Sequence, residues 1–173
     1  DPDADRVGIA VKDENGEFVL LNGNQTAALL TYYLLTRWSE LGKLTGKEYI
    51  VKTIVTTELL FDMANKFNVE KFDVLTGFKF IGEKVAKYEV TGEKQYVFGY
   101  EESYGSLIAP FVRDKDAPQA CLMLAEAACY YHAKGKTLVD VLNDLYVRHG
   151  FYEESQVSLT LKGMEGAAKI KEI

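Results

Sequence analysis

Between residues 50 and 100 three short apolar runs, Ile50 to Val55, Phe72 to Leu75 and Gln95 to Tyr100, are separated by two stretches of helical periodicity. Leu59, Leu60, Met63, Ala64 and Phe67 mark the first of these helices, and Phe78, Ile81, Val85 and Tyr88 the second. Strands joined by helical crossovers must run parallel, and the helices must cover both faces of the sheet. In such open sheets ligands bind beyond the carboxyl ends of the strands. Thr56, Thr76 and Glu101 each follow one of those ends, so they are expected in one crevice.

The third run leads into Phe98-Gly-Tyr-Glu-Glu-Ser-Tyr-Gly105, where glycines bracket a tight loop. Glu101 and Ser103 stand two residues apart, so in extended chain both side chains point the same way. An acceptor beside a donor-acceptor suits vicinal sugar hydroxyls; a solvated turn with incidental carboxylates is the plain alternative. A second polar stretch opens the chain, Asp1-Pro-Asp-Ala-Asp-Arg6. Carboxylates at alternate positions repel one another unless a cation gathers them. A calcium loop of the EF-hand type wants Gly sixth and Glu twelfth, and here stand Arg6 and Lys12. What remains is an incomplete oxygen site for Mg²⁺ with an arginine placed for a phosphate oxygen, against the alternative of a frayed acidic terminus.

A net charge of −6 with no basic run argues against nucleic acid or an anionic membrane as partner. No apolar run approaches the roughly 18 residues of a membrane span, and no secretory signal is expected. Cys121 and Cys129 lie about two helical turns apart, too far for a disulfide, and read as core residues of a reducing compartment. The expected location is cytoplasmic.

The remaining elements follow from punctuation. Val7 to Val11 and Glu17 to Leu21 read as strands around Asp13-Glu-Asn-Gly16, and Asn24 is expected to cap a helix with a stripe of Leu30, Leu34 and Leu41, ended by Gly42. Asp116 with Gln119 and Thr137 with Asp140 read as capping boxes of two helices closed by Gly135 and Gly150. His132 and His149 fall within these helices as structural residues. Val157, Leu159 and Leu161 alternate with polar neighbours, as a half-buried antiparallel edge strand does. The expected fold class is α/β: a three-layer α/β/α unit with a mixed, mostly parallel four-stranded sheet, plus a partial preceding domain. Residues 1–42 are assigned to that preceding domain, 43–48 to a linker, 49–161 to the α/β/α domain and 162–173 to an exit linker.

The two polar loops, with Thr76-Gly-Phe-Lys-Phe-Ile81 and Arg113-Asp-Lys-Asp116 between and after them, resemble the phosphoglucomutase/phosphomannomutase family, the α-D-phosphohexomutases. The resemblance covers nearly the whole chain. The family's metal loop is Asp-Gly-Asp-Gly-Asp-Arg-like and its sugar loop Gly-Glu-x-Ser-Gly-like; here Pro2 and Ala4 take the glycine places, and Tyr100 and Tyr104 intrude on the sugar loop. The resemblance implies that Asp1, Asp3 and Asp5 ligate Mg²⁺, that Arg6 steadies phosphate, and that Glu101 and Ser103 grip the sugar hydroxyls. It places Thr76 and Gly77 on the opposite wall with Lys79 nearby, and makes Lys115 a phosphate contact or proton-transfer group, against the plain reading of a surface lysine.

In that family a phosphoserine exchanges phosphoryl groups with a sugar phosphate through a reorienting bisphosphate, interconverting glucose 1-phosphate and glucose 6-phosphate. No Ser-His-Asn-like phosphoserine loop and no Arg-x-Ser-Gly-Thr-like phosphate loop occurs in these residues; Ser39, Ser106, Ser155 and Ser158 lack that context. The expectation is therefore the end of a second domain plus a third domain of a mutase, inactive alone, with the missing domains and a sugar phosphate as partners. A stand-alone sugar-phosphate or divalent-cation binding module is the alternative. A glycosidase is disfavoured, since the adjacent Glu101 and Glu102 would diverge across a strand.

Overall fold

The alternation expected from residue 49 is present in the computed structural model, which describes residues 1–155, 157 and 160–170. A hairpin of β1 (Ile9–Lys12) and β2 (Phe18–Leu21) precedes helix α1 (Gly23–Glu40). Then follow β3 (Glu48–Thr53), α2 (Leu59–Lys66), β4 (Glu70–Val74), α3 (Phe78–Thr91) and β5 (Gln95–Glu101). Strand β6 (Gly105–Leu107) and helices α4 (Ala117–His132), α5 (Leu138–His149) and α6 (Gly163–Ile170) complete the order.

The main sheet has the order β4-β3-β5-β6, with β4, β3 and β5 parallel and β6 antiparallel to β5. One face carries α1, α2, α4 and α5 over Ile50, Val97, Phe98 and Tyr100. The other carries α3, whose Phe78, Ile81, Val85 and Tyr88 pack on Tyr49, Val51 and Tyr96. β3 is buried at all six residues, as a strand between two helical layers must be. It even encloses Lys52, whose ammonium pairs with Glu58 at 2.8 Å and Asp73 at 2.7 Å and lies over the Phe61 ring.

Several expectations are corrected. Among the described residues the sheet is mixed and four-stranded as expected, but the fourth strand is β6. Leu159 lies outside the described residues, and Val157 and Leu161 belong to no strand. A return through residues 102–104 closes a far smaller loop than one from residue 157, so the hairpin is the cheaper edge. Asn22, not Asn24, caps α1, because only Asn22 has a glutamine three residues on. Its side chain accepts the Gln25 N–H while the Gln25 side chain accepts the Asn22 N–H. Leu41 lies beyond the helix end and is exposed. Asp116 caps α4 as expected, but the Gln119 amide oxygen reaches the N–H groups of Ile108 and Ala109 instead of closing the box.

The division after Gly42 also moves. Leu29, Leu30, Leu34 and Leu35 of α1 share a core with Ile50, Leu59 and Phe98, so α1 is part of the layered unit, and residues 43–48 connect two of its elements. Cys121 and Cys129 are exposed free thiols, because the buried face of α4 runs through Ala120, Leu124, Ala127 and Tyr131 and the cysteines fall beside it. Residues Gly163–Ile170, expected as linker, are helical. No helix among the described residues is long and apolar enough to cross a membrane.

Candidate functional site

At the carboxyl edge of β3, β4 and β5 lies a cleft of about 690 Å³. It is lined by Arg6, by Asn22, Gly23 and Asn24 at the start of α1, by Val55 and Thr76 beyond β3 and β4, and by the turn Glu102 to Tyr104; Glu154 and Ser155 close one side. Of the residues singled out from sequence, Arg6, Thr76 and Ser103 thus meet in one cavity. Thr56, Glu101, Gly77, Lys79, Lys115 and the three aspartates do not line it, so of the three strand-end residues expected in one crevice only Thr76 does.

The geometry of the sugar loop differs from the extended chain expected from its spacing. β5 ends at Glu101 and the chain turns at once, with Tyr104 at φ +71°, so Glu101 and Ser103 do not share a face. Glu101 is buried, and its Oε1 accepts the Gly77 N–H at 2.8 Å, tying the sugar loop to the start of α3. Ser103 is exposed at the cleft. Glu102 turns inward to the buried Thr53 and Thr56: its Oε2 accepts from Thr53 Oγ1 at 3.1 Å and from Thr56 Oγ1 at 3.3 Å, and its N–H donates to Thr56 Oγ1 at 3.1 Å. The turn also presses on the start of α1. A Cβ at Gly23 would stand 1.7 Å from the Glu102 carbonyl oxygen, so only glycine admits this approach.

The aspartate loop is organised around two cationic side chains, Arg6 and Lys115. Asp1 Oδ2 takes the Arg6 guanidinium at 2.7 Å, Asp5 pairs with Lys115 at 3.3 Å, and Ala4 holds φ +53°. The donor set suits a hard cation, and the buried Asp5 Oδ1 has no hydrogen-bond partner. Yet among the described residues no three His, Cys, Asp or Glu side chains gather closely enough to hold a metal ion. As arranged, Asp1, Asp3 and Asp5 do not form a three-carboxylate site for Mg²⁺: Asp1 and Asp5 both face the Arg6 guanidinium, at 2.7 and 3.6 Å, and Asp5 also reaches Lys115.

Lys115 is the joint between the two loops. Its stem covers Gly105, its ammonium bonds Asp114 and Asp5 and lies over the Phe78 ring. Burial disfavours the charge, but the bonds to Asp114 and Asp5 outweigh it and hold the lysine above its ordinary pKa. Lys79 is exposed and lies over the Phe80 ring, away from the cleft.

Sequence reasoning missed Asn22, Gly23, Asn24, Thr53 and Glu102. The capping box at Asn22 with Gln25 was a legible signal for the first. Nothing in the sequence marks which of two adjacent glutamates faces the cleft, since a turn rather than a strand decides it.

The chain has similar counterparts among known proteins. Residues 22–149 match the family described as phosphoglucomutase/phosphomannomutase, alpha/beta/alpha domain III. A phosphoglucomutase of Staphylococcus aureus (strain MRSA252) is 42% identical over 173 residues, which are 100% of this chain and 30% of that relative. The chain therefore spans about 30% of the length of the curated relatives it matches. Among solved structures, a putative phosphomannomutase from Thermus thermophilus superposes with a TM-score of 0.65 at 27% identity, over 87% of this chain and 30% of that one. The open form of pp63/parafusin from Paramecium, described as a phosphoglucomutase, shares the fold at a TM-score of 0.65 and 19% identity, over 87% of this chain and 24% of that one.

Proposed function

This chain belongs to the phosphoglucomutase/phosphomannomutase family, and on that premise we propose that it supplies the sugar-binding wall of a hexose-phosphate mutase. The reaction is the interconversion of glucose 1-phosphate and glucose 6-phosphate through a phosphoserine and a bisphosphate, with the phosphoserine contributed by a part of the enzyme outside these residues. One observation carries the reading: Arg6, Thr76 and Ser103, drawn from three separate motifs, line one cleft at the strand ends.

The roles follow from what each group can offer. Ser103 donates to and accepts from a ring hydroxyl, and Thr76 does so from the facing wall. Arg6 meets a phosphate oxygen with the guanidinium edge not held by Asp1. Glu101 accepts from Gly77 and so fixes the distance between the two loops. Holding the ring by its hydroxyls leaves either phosphate free to face the phosphoserine, as a reorienting bisphosphate requires. Asp1 and Asp5 hold Arg6, and Asp5 also Lys115, so they are given no step in this scheme.

Titration of the isotope-labelled chain with glucose 6-phosphate, followed by backbone amide shifts, is the test. Shifts centred on Ser103 and Thr76, reduced at least about tenfold in affinity by Ser103→Ala, are expected. Shifts confined to the opposite sheet edge, around Tyr88 and Tyr96, would overturn the reading. No mutase turnover is expected from these 173 residues alone, because none of their serines stands in a phosphoserine-loop context.

A further inference from the structure

Glu102, between the two residues implied in sugar binding, forms with Thr53 and Thr56 a closed ring of hydrogen bonds beneath the cleft. The Glu102 N–H donates to Thr56 Oγ1 at 3.1 Å, the two threonine hydroxyls are 2.8 Å apart, and Thr53 Oγ1 is 3.1 Å from Glu102 Oε2. Each hydroxyl has one proton to give. The assignment that uses every donor once runs from the Glu102 amide to Thr56, from Thr56 to Thr53, and from Thr53 to the Glu102 carboxylate, leaving the 3.3 Å contact of Thr56 with Oε2 as the minor branch. Such a ring polarises all its members in one direction, and in a buried setting each bond strengthens the next. Thr53 and Thr56 are 0% and 3% exposed, so water does not compete for them.

The ring fixes both ends of one residue, its backbone N–H and its side-chain carboxylate, to the floor formed by β3. A residue held at both ends has no freedom to rotate, and Ser103 follows it directly. The opposite side of the same residue is stopped by Gly23, on whose Cα the Glu102 carbonyl rests. We propose that Thr53 and Thr56, acting through Glu102, are positioning residues that preset the orientation of Ser103 for sugar phosphate. This rests on the sugar-binding reading of the cleft and adds to it two residues that do not line the cavity.

The test uses near-isosteric variants of the threonines, which leave the cleft charge unchanged. In Thr56→Val the amide hydrogen exchange of Glu102 is expected to rise about tenfold or more without ligand, and the affinity for glucose 6-phosphate to fall about tenfold. The Phe98 amide, in the buried strand before the loop, should keep its exchange rate. Thr56→Ser should restore both quantities, and Glu102→Gln, which retains an acceptor for Thr53, should stay near the parent in exchange. Thr53→Val provides a second route should Thr56→Val fail to fold. Unchanged Glu102 exchange in both valine variants overturns the inference, as does a loss of affinity that Phe98 exchange follows in parallel, which would mean a purely structural role. If the parent chain binds no glucose 6-phosphate, it is the sugar-binding reading that fails. The exchange comparison still decides whether the ring anchors the turn.

Discussion

The sugar loop and the aspartate loop are equally conspicuous in the sequence, yet the structure builds them in opposite ways. The sugar loop is the continuation of a strand buried over six residues, and its polar groups are tied down by Gly77, Thr53 and Thr56 and stopped by Gly23. The aspartate loop is largely exposed. It closes on itself through the Asp1–Arg6 pair and leans on its neighbours through the Val7 N–H to the Tyr104 carbonyl, the Ala117 N–H to the Ala4 carbonyl, and Asp5 to Lys115. One is part of the sheet and the other rests on it. Rigidity of a loop comes from buried partners, so the loop after β5 is held by the core beneath it, while the aspartate loop is held by surface pairs and by its contacts with neighbouring loops.

The sharpest way to break this contrast is Gly23→Ala. A methyl group 1.7 Å from the Glu102 carbonyl oxygen must push α1 and the turn apart. A destabilisation of about 3 kcal/mol in urea denaturation is expected, with loss of sugar-phosphate binding. A cost under about 0.5 kcal/mol would show that the turn moves freely and that its anchoring is weak. Next in size is Glu101→Ala, which leaves the Gly77 N–H without its charged acceptor and separates two walls of the cleft. About 2 kcal/mol is expected by the same measurement, with Glu101→Gln losing less because an oxygen remains.

How much of this was legible depends on whether periodicity or a turn decides. The alternation from Ile50 to Tyr100 fixed the layers, because a buried strand and an amphipathic helix leave unmistakable patterns. The side of the sheet each helix takes was legible only as a rule, and the rule held. The edge strand was not. β6 is three residues long, Gly105-Ser-Leu107, too short to carry an alternation, whereas the longer pattern at Val157 to Leu161 looked like a strand and is not one where it is described. In the candidate site, motif positions pointed to Arg6, Thr76 and Ser103, which line the cleft, but the facing of Glu101 and Glu102 hangs on a turn at Tyr104 that residue types alone do not disclose.

The same comparison explains the departures from the family motifs. Ala4 and Tyr104 stand where the two motifs carry glycine, and both sit at positive φ, +53° and +71°. A left-handed conformation costs a non-glycine residue about 1–2 kcal/mol, and glycine gives part of that back as greater freedom in the unfolded chain. Ala4→Gly is therefore expected to raise stability by about 0.5–1 kcal/mol, read as a higher denaturation midpoint. A fall instead would mean that the Ala4 methyl makes packing that compensates its backbone.

The smallest expected effect belongs to Asp1→Ala, and it bears most directly on the contrast. Asp1 takes the Arg6 guanidinium at 2.7 Å, but this is an ion pair on the surface, where water already solvates both partners and salt screens their attraction. Exposed pairs of this kind contribute about 0.2–1 kcal/mol, so a change below about 0.5 kcal/mol is expected, shrinking further as salt is raised. Freed from Asp1, Arg6 keeps its bridge to Gly105 and has more of its guanidinium to offer an anion in the cleft. Glucose 6-phosphate should then bind this chain as well as before or slightly better. If Asp1→Ala instead costs about 2 kcal/mol, or lowers the affinity tenfold, the aspartate loop is as firmly built as the sugar loop, and the contrast drawn between them is wrong.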